Sequence, residues 1–469
     1  MKISIYNFGP IGSFEYDLSK DFIATYGNNN IGKSYSMQIV YLLLKNLINN
    51  SQSNFYFHSM FHIEKNPSNN YINNIKNVVE KFVESEHSEI EITDIINKNT
   101  LLMIKNIFLP SFINSCNNTF GNFDSIVKNN PEIKIENNGY VVIIKLLNSE
   151  VSGSISTKKV FIKKSRTNTY KYRKYNERLS IYYYEDIQST LNIINQTIEE
   201  EFFEFSNSII ELVSDVYFLP ASRSGIYSGM SAFSSIIAEL SRSKAMLTKK
   251  IELPGLSEPI SDYFLMLSNI RTRKNTGLQN IYSKIEDDIL HGNVNFNNNN
   301  NMLVYKPNNL LYEFEMTQVS SMVSEISPIV AFFKYIILNN RQRENYTRSR
   351  FSPNSKSIIF IEEPEAHLHP INQLKLIEIF ADLNKYGIKL VISSHSNYIF
   401  NKLNNLMLSK KLTTDIYSAI ILEAIEGKSN SKFLEIDELG VLDENFIDAT
   451  QQLYEEREEI IKNLDFEEH

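Results

Sequence analysis

The 469-residue sequence has one cysteine, no tryptophan, and no apolar run approaching the ~18 residues that a membrane span requires. Cys116 cannot close an internal disulfide by itself, so a reducing cytosol is the expected compartment. The opening MKISIYNFG lacks the basic stretch and apolar core of an export signal, and a cytoplasmic chain without a membrane segment is expected. Positive charge is also in short supply. A formal net charge of -8 excludes a surface that is basic all over and built to envelop nucleic acid, while leaving room for a local basic patch. Tryptophan is missing while asparagine is abundant, a bias of A/T-rich coding, so the run from Asn297 to Asn301 reads as a loop tip. What is present is apolar: 42% of the residues, enough to bury a large core in two or three domains.

Residues 2 to 26 read as two strands around a turn at Gly9-Pro10, then the apolar FIATY running into Gly27. SYSMQIVYLLLKNLI has apolar residues at helical spacing. Residues 50 to 135 read as mostly helical, 139 to 184 as an alternating antiparallel meander, and 190 to 213 as helix again, before the strand DVYFLP and the loop ASRSG. The segment 230 to 290 is expected to be helical, and VNFNNNNNMLVYKPNNLLYEFEM to be a hairpin turning at the Asn run. Then come the serine-opened helix SSMVSEISPIVAFFKYIILNN, the buried strand SIIFIEE, the helix NQLKLIEIFADLNKYG and the buried strand KLVISSHS. This order predicts an α/β nucleotide-binding domain interrupted in its middle. Residues 1–50 and 301–430 would form one head in space, with 51–215 an inserted helical arm and meander, 216–300 a helical return, and 431–469 an acidic C-terminal helix. No internal repeat is found.

GNNNIGKS spans Gly27, Asn28, Asn29, Asn30, Ile31, Gly32, Lys33 and Ser34, followed by Tyr35, and matches the phosphate-binding loop pattern between a strand and a helix. Glycines let backbone N–H groups turn toward phosphates, and the helix N-terminus adds a favourable dipole. Lys33 is expected to reach the β- and γ-phosphates of ATP, and the Ser34 hydroxyl to bind Mg²⁺. SIIFIEEPEAHLHP places two carboxylates at the C-terminal end of an apolar strand, where open α/β sheets hold their ligands. Glu362 would hold Mg²⁺ through water, and Glu363 would polarise the attacking water, with Glu365 next in line for that role. Two other readings stand beside this one: a metal cluster of Glu363, Glu365, His367 and His369, or a purely structural pair of acids. His395, just past the strand LVISS, is expected to contact the γ-phosphate, with a structural histidine as the alternative.

GNNNIGKS, FIEEPEAHLHP and VISSHS, in that order and spacing, resemble the ATPase domain of the OLD-like, RecF/SMC-related branch of ABC ATPases found in prokaryotic phage-defence systems. The likeness extends to NFGPIGS and FLEIDELGVLDENF at the two ends and is poor from about 50 to 215. It implies an ABC-type P-loop head with a large, helix-rich insertion, and a homo-oligomer, at least a dimer, in which ATP lies between two heads. VSSMVSEISP looks like the signature segment that reaches across such a dimer, with Ser320 as its serine; Met322 stands where many relatives carry glycine, and an N-cap serine on a core helix is the alternative. The resemblance also suggests that Arg223 in LPASRSG stabilises phosphate charge, or is a surface arginine, and that Gln188 is a candidate for a Mg²⁺-sensing glutamine.

Residues 158 to 178, KKVFIKKSRTNTYKYRKYNER, interleave Lys and Arg with Tyr170, Tyr172 and Tyr175, which suits DNA or RNA contact and equally a solvated hairpin. The stretch beyond His395 is shorter than the Toprim nuclease domain of full OLD nucleases, so no such activity is expected. The combined expectation is an ATPase sensor of a multi-gene antiphage system of the Septu or PARIS kind. It would control a separately encoded effector, a nuclease or toxin. A RecF-like DNA-repair ATPase is the alternative, and a transporter ATPase a third reading that the long insertion does not suit.

Overall fold

Alternating apolar and polar residues at the start of the chain form two antiparallel strands, β1 (Lys2–Phe8) and β2 (Ile11–Asp17), joined through Gly9 at φ +57°. The apolar FIATY becomes β3 (Phe22–Tyr26), buried along its whole length. In this computed structural model the described residues are 1–60, 69–155, 158–167, 172–175, 177–184, 186–229, 256–270, 274–298, 302–337, 355–437, 440–441 and 449–467. The further strands are β4 (Glu89–Glu91), β5 (Glu132–Asn137), β6 (Tyr140–Lys145), β7 (Glu150–Ser154), β8 (Lys159–Lys164), β9 (Tyr172–Tyr175), β10 (Arg178–Tyr183) and β11 (Val213–Leu219). They continue with β12 (Gly292–Asn297), β13 (Met302–Pro307), β14 (Phe314–Glu315), β15 (Lys356–Glu362), β16 (Ile388–Ser393), β17 (Tyr417–Ile425) and β18 (Lys428–Phe433).

Eleven strands make one sheet in the order β11-β15-β16-β3-β17-β18-β2-β1-β5-β6-β7. From β11 to β17 every neighbouring pair is parallel. Such strands are covered on both faces, which is why SIIFI and KLVIS are apolar runs rather than alternations. Successive side chains go to opposite sides. Ile359, Ile361, Leu390 and Ile392 enter a core with the helices Ser321–Ala331, Pro370–Phe380 and Asn397–Leu408. Ile358, Phe360 and Val391 enter a second core with the helices Lys33–Met60 and Thr93–Thr119. The α/β class expected from the sequence is the one observed.

Two expectations are corrected. The meander of 139 to 184 is divided: β6 and β7, with β5, extend the head's own sheet through β1, while β8, β9 and β10 join β4 in a separate four-stranded sheet. There β8 and β10 run parallel, so they are not hairpin partners. Alternation marks a half-buried strand without naming its neighbour, and that is the reason the pattern misled. The boundary drawn at 51–215 is crossed for the same reason, since Ile133, Ile135, Val142 and Ile144 share a core with Val40, Leu43 and Leu44 of the loop-following helix. The four-stranded sheet has its own smaller core, where Val160, Ile162, Leu179 and Ile181 meet Val79, Phe82, Leu191 and Ile194.

The hairpin of β12 and β13 forms as expected, with Asn297 opposite Met302; residues 299–301 at its tip lie outside the described residues. So do 230–255 of the expected helical return and 442–448 of the late segment. Among the described residues no helix is long and apolar enough to cross a membrane.

Because Ile144 is fully buried in the core that also holds the loop-following helix, Ile144→Ala should destabilise the whole head, by about 2–5 kcal/mol. Chemical denaturation followed by tyrosine fluorescence and by loss of ATP binding should show both signals shifting together. Separate transitions would mean that β5–β7 fold as an independent arm.

Candidate active site

Strand order places the C-terminal ends of β15, β16 and β3 side by side, with Glu362 opposite Ser393 and Ser393 opposite Thr25. The loop after β3 turns at Gly27, φ +137°, where a Cβ would stand 2.3 Å from Ile31 Cδ1 and 2.7 Å from the Leu422 carbonyl oxygen. Only glycine fits there. Asn30 takes φ +63°, a conformation asparagine tolerates better than most residues, and Asn28 to Asn30 are exposed.

The helix opening at Lys33 follows directly from this loop, and the first N–H groups of a helix have no partner within it. Lys33 is buried; its Nζ donates to the carbonyls of Gly27 and Asn28, both at 2.8 Å, and lies 3.2 Å from His395 Nδ1. Burial lowers the Lys33 pKa to about 8, against the opposing charges of Glu363 and Glu365. Ser34 is exposed at the loop, whereas the Tyr35 ring lies against Phe120, 5.0 Å between centroids.

The three acids after β15 have three environments. Glu362 is buried; its Oε2 accepts from the Ala221 N–H at 3.1 Å, and its Oε1 has no hydrogen-bond partner among the described residues. Burial raises its pKa, opposed by the Ala221 N–H and the Ser34 hydroxyl. A buried carboxylate oxygen without a donor, near a serine hydroxyl, fits a hydrated Mg²⁺ held by Glu362 and Ser34. Glu363 adopts φ +41°, with its carboxylate 42% exposed and its Oε1 3.4 Å from His395 Nε2. The hydrogen bond from His395 keeps Glu363 more acidic than usual, outweighing partial burial.

Glu365 faces elsewhere. Its Oε1 accepts from Ser394 Oγ and from the His395 N–H, both at 2.7 Å, and burial raises its pKa. It therefore holds the turn that carries His395. His369 caps the helix Pro370–Phe380, its Nδ1 accepting from the Ile371 N–H at 3.4 Å, and His367 is exposed. These side chains diverge, and among the described residues no group of three or more His, Cys, Asp or Glu is arranged to hold a metal ion.

Arg223 is corrected on both counts. It is neither on the surface nor aimed at the phosphate loop: the side chain is fully buried behind the acids, donating to the carbonyls of Pro220, Glu362, Glu363 and Glu325. Gln188 is also elsewhere, exposed at the start of the helix Ile187–Ile210 and donating to Asn192 Oδ1 at 3.1 Å. Ser320 caps the helix Ser321–Ala331, accepting from the Val323 N–H at 3.4 Å, and is itself exposed, so it serves as a cap and still faces outward. Met322 receives a contact from Asn372 Nδ2 at 3.4 Å.

Sequence reasoning missed Glu325 and Ala221. A lone acid in the apolar run VSEISPIV is a signal of a buried partner, and Arg223 is that partner at 3.5 Å. Ala221 acts through its backbone and left no signal.

Among the described residues, four cations of the basic stretch 158 to 178 have partners within the protein. Lys158 bonds Glu204 at 2.6 Å, Lys163 and Arg178 share Glu89 at 3.0 and 2.9 Å, and Lys164 donates to the carbonyls of Val83 and Ser85. Arg178 also stacks on Phe161 at 3.9 Å. Tyr172 and Arg173 are exposed, while Tyr170 lies outside the described residues.

Residues 1–400 match the family model described as AAA ATPase domain. No curated protein matches the chain. Among solved structures it is similar to an Smc head bound to the C-winged helix domain of ScpA, with 11% identity, TM-score 0.37, and 93% of this chain and 98% of that chain covered. It is similar to the SMC head domain from Thermotoga maritima at 9% identity and TM-score 0.34, covering 93% and 98%. An Smc head with an extended coiled coil, bound to the C-terminal domain of ScpA derived from Pyrococcus furiosus, aligns at 11% identity and TM-score 0.36, covering 97% and 98%.

The lowered Lys33 pKa has a testable consequence. Bound polyphosphate favours the charged amine, so binding above pH 8 must take up a proton, and affinity falls as pH rises through the free protein's pKa. ATP affinity measured by calorimetry should weaken about tenfold between pH 7 and 9. Lys33→Ala should bind ATP far more weakly at every pH, with that pH dependence gone.

Proposed function

Because the chain belongs to the AAA ATPase domain family, we propose that it is an ATP-hydrolysing switch whose loop Gly27–Ser34 holds the nucleotide and whose Glu363 directs the attacking water. The carrying observation is the convergence of Lys33, Glu362, Glu363 and His395 at three adjacent strand ends. In this reading the loop N–H groups and Lys33 bind the phosphates, and Glu362 with Ser34 holds Mg²⁺. When bound, that ion neutralises developing charge on the phosphates.

Glu363, ionised and half-exposed, accepts a hydrogen bond from the attacking water and orients it, while His395 fixes the carboxylate from one side and faces the terminal phosphate from the other. Glu365 keeps the His395 backbone in place. Two chains would close on ATP, each presenting Ser320 to the nucleotide of the other. The output is carried by a separately encoded effector, a nuclease or toxin, in an antiphage system. Support for that role is the order and spacing of the three motifs. A DNA-repair loader fits less well, since Lys158, Lys163 and Arg178 of the basic stretch are each engaged by an acid of the protein.

Glu363→Gln should still bind ATP but hydrolyse it about 10²- to 10⁴-fold more slowly, in single-turnover assays that separate binding from chemistry. Wild-type turnover would move the role to another group. The dimer is tested by mixing: Lys33→Ala and Ser320→Arg, each inactive alone, should recover one working composite site per heterodimer. No recovery between subunits shown to exchange would leave Ser320 as a helix cap only.

A further inference from the structure

We propose that Arg223 and Glu325 are positioning residues for hydrolysis, a buried strut that fixes the left-handed turn at Glu363 and ties it to the helix capped by Ser320. This rests on the assignment of Glu363 to the attacking water.

Arg223 joins three distant segments. Its Nη1 donates to the carbonyls of Glu362 at 2.7 Å and Pro220 at 3.1 Å, its Nη2 to Glu363 at 3.1 Å, and its Nε to Glu325 at 3.2 Å. The Glu325 carboxylate completes the set, with Oε2 3.5 Å from Arg223 Nε and Oε1 accepting from the Ser224 N–H and hydroxyl at 3.2 and 2.5 Å. Both side chains are essentially inaccessible to water. A guanidinium removed from water is costly unless its donors are satisfied, and here they converge on the peptide groups that set the direction of the catalytic acids.

Glu363 needs such support. Its φ of +41° is unfavourable for a residue with a Cβ and persists only where the surroundings fix it. The Glu363 N–H donates to Ser393 at 3.0 Å, and its carbonyl receives both Ala366 N–H and Arg223 Nη2. The first ties the turn to β16 and the second lies within the turn; the arginine carries the tie to the helix that Ser320 caps. Glu325 lies five residues after Ser320 on a helix buried from 323 to 331. A displacement of Ser320 by a ligand therefore reaches Glu363 through two side chains.

The test replaces both charges together in the full-length protein, as Arg223→Met/Glu325→Met, which leaves no unpaired charge inside. The expected result is a retained melting transition, a KM for ATP within about threefold of wild type, and kcat lower by about 10²-fold, the scale for an ångström misplacement. Should that variant not fold, Glu325→Gln carries the test through the same fall in kcat at constant KM. Wild-type kcat in whichever variant folds would reduce the pair to packing. Loss of ATP binding in parallel with kcat would make it a general support of the loop.

Coupling to the helix is read by adding Ser320→Ala, which should slow the wild type and leave the double variant nearly unchanged. Equal slowing in both would break the proposed link. Wild-type turnover in Glu363→Gln, where Arg223 and Glu325 are intact, would instead remove the assignment beneath the strut.

Discussion

The parallel register of three strands decides where everything else at the site can be. Hydrogen bonds set Glu362 of β15 opposite Ser393 of β16, and Ser393 opposite Thr25 of β3, so three chain segments end on one line. Neighbouring strands lie about 5 Å apart, so the line places a phosphate loop, a carboxylate pair and a histidine within reach of one polyphosphate. A slip of one residue in either pairing would turn Ile361 or Ile392 out of its core, and the two cores above and below resist it. Precision at the site thus comes from apolar side chains that never touch it.

On that line the acids are separated by environment rather than by sequence. Glu362 and Glu365 lose water and rise in pKa, while Glu363, paired with His395, falls. Carboxylates pushed in opposite directions take different roles. An ionised, half-exposed Glu363 can orient water, a buried Glu362 whose Oε1 has no donor among the described residues suits a cation, and Glu365 Oε1 is committed to the Ser394 hydroxyl and the His395 N–H. Type and spacing alone had left Glu365 in line for the role of Glu363; the difference between them is which oxygen meets solvent.

The legible parts were those where chemistry is local. GNNNIGKS carries its own glycine geometry, and SIIFIEE and KLVIS announce themselves as strands covered on both faces because no alternation interrupts them. Partner choice was hidden. Nothing in YVVIIKLL distinguishes a strand that extends the head from one in an arm, because the difference lies in a pairing with β5, and through it β1, more than a hundred residues earlier. Charges misled for a related reason: Lys163 and Arg178 read as a basic patch until Glu89, remote in sequence, is placed between them. Arg223 and Glu325 were each visible as single anomalies, and only their distance makes them a pair.

The helix begun by Ser320 shows how a rigid fold can still carry a signal. From 323 to 331 it is buried, and a second internal ion pair, Lys334 to Glu286 at 2.7 Å, fastens the π-helical turn Phe332–Ile336 that continues it, with Lys334 also donating to the Val294 carbonyl at 2.8 Å. Removing one member of either pair would leave an uncompensated charge in the interior, which opposes displacement of this helix. Its exposed serines, Ser320 and Ser321, stand at the end nearest the Arg223 contact, so contact there bears first on the carbonyls of Glu362 and Glu363. In the proposed coupling, burial of the later turns leaves the exposed first turn as the place where a ligand can act.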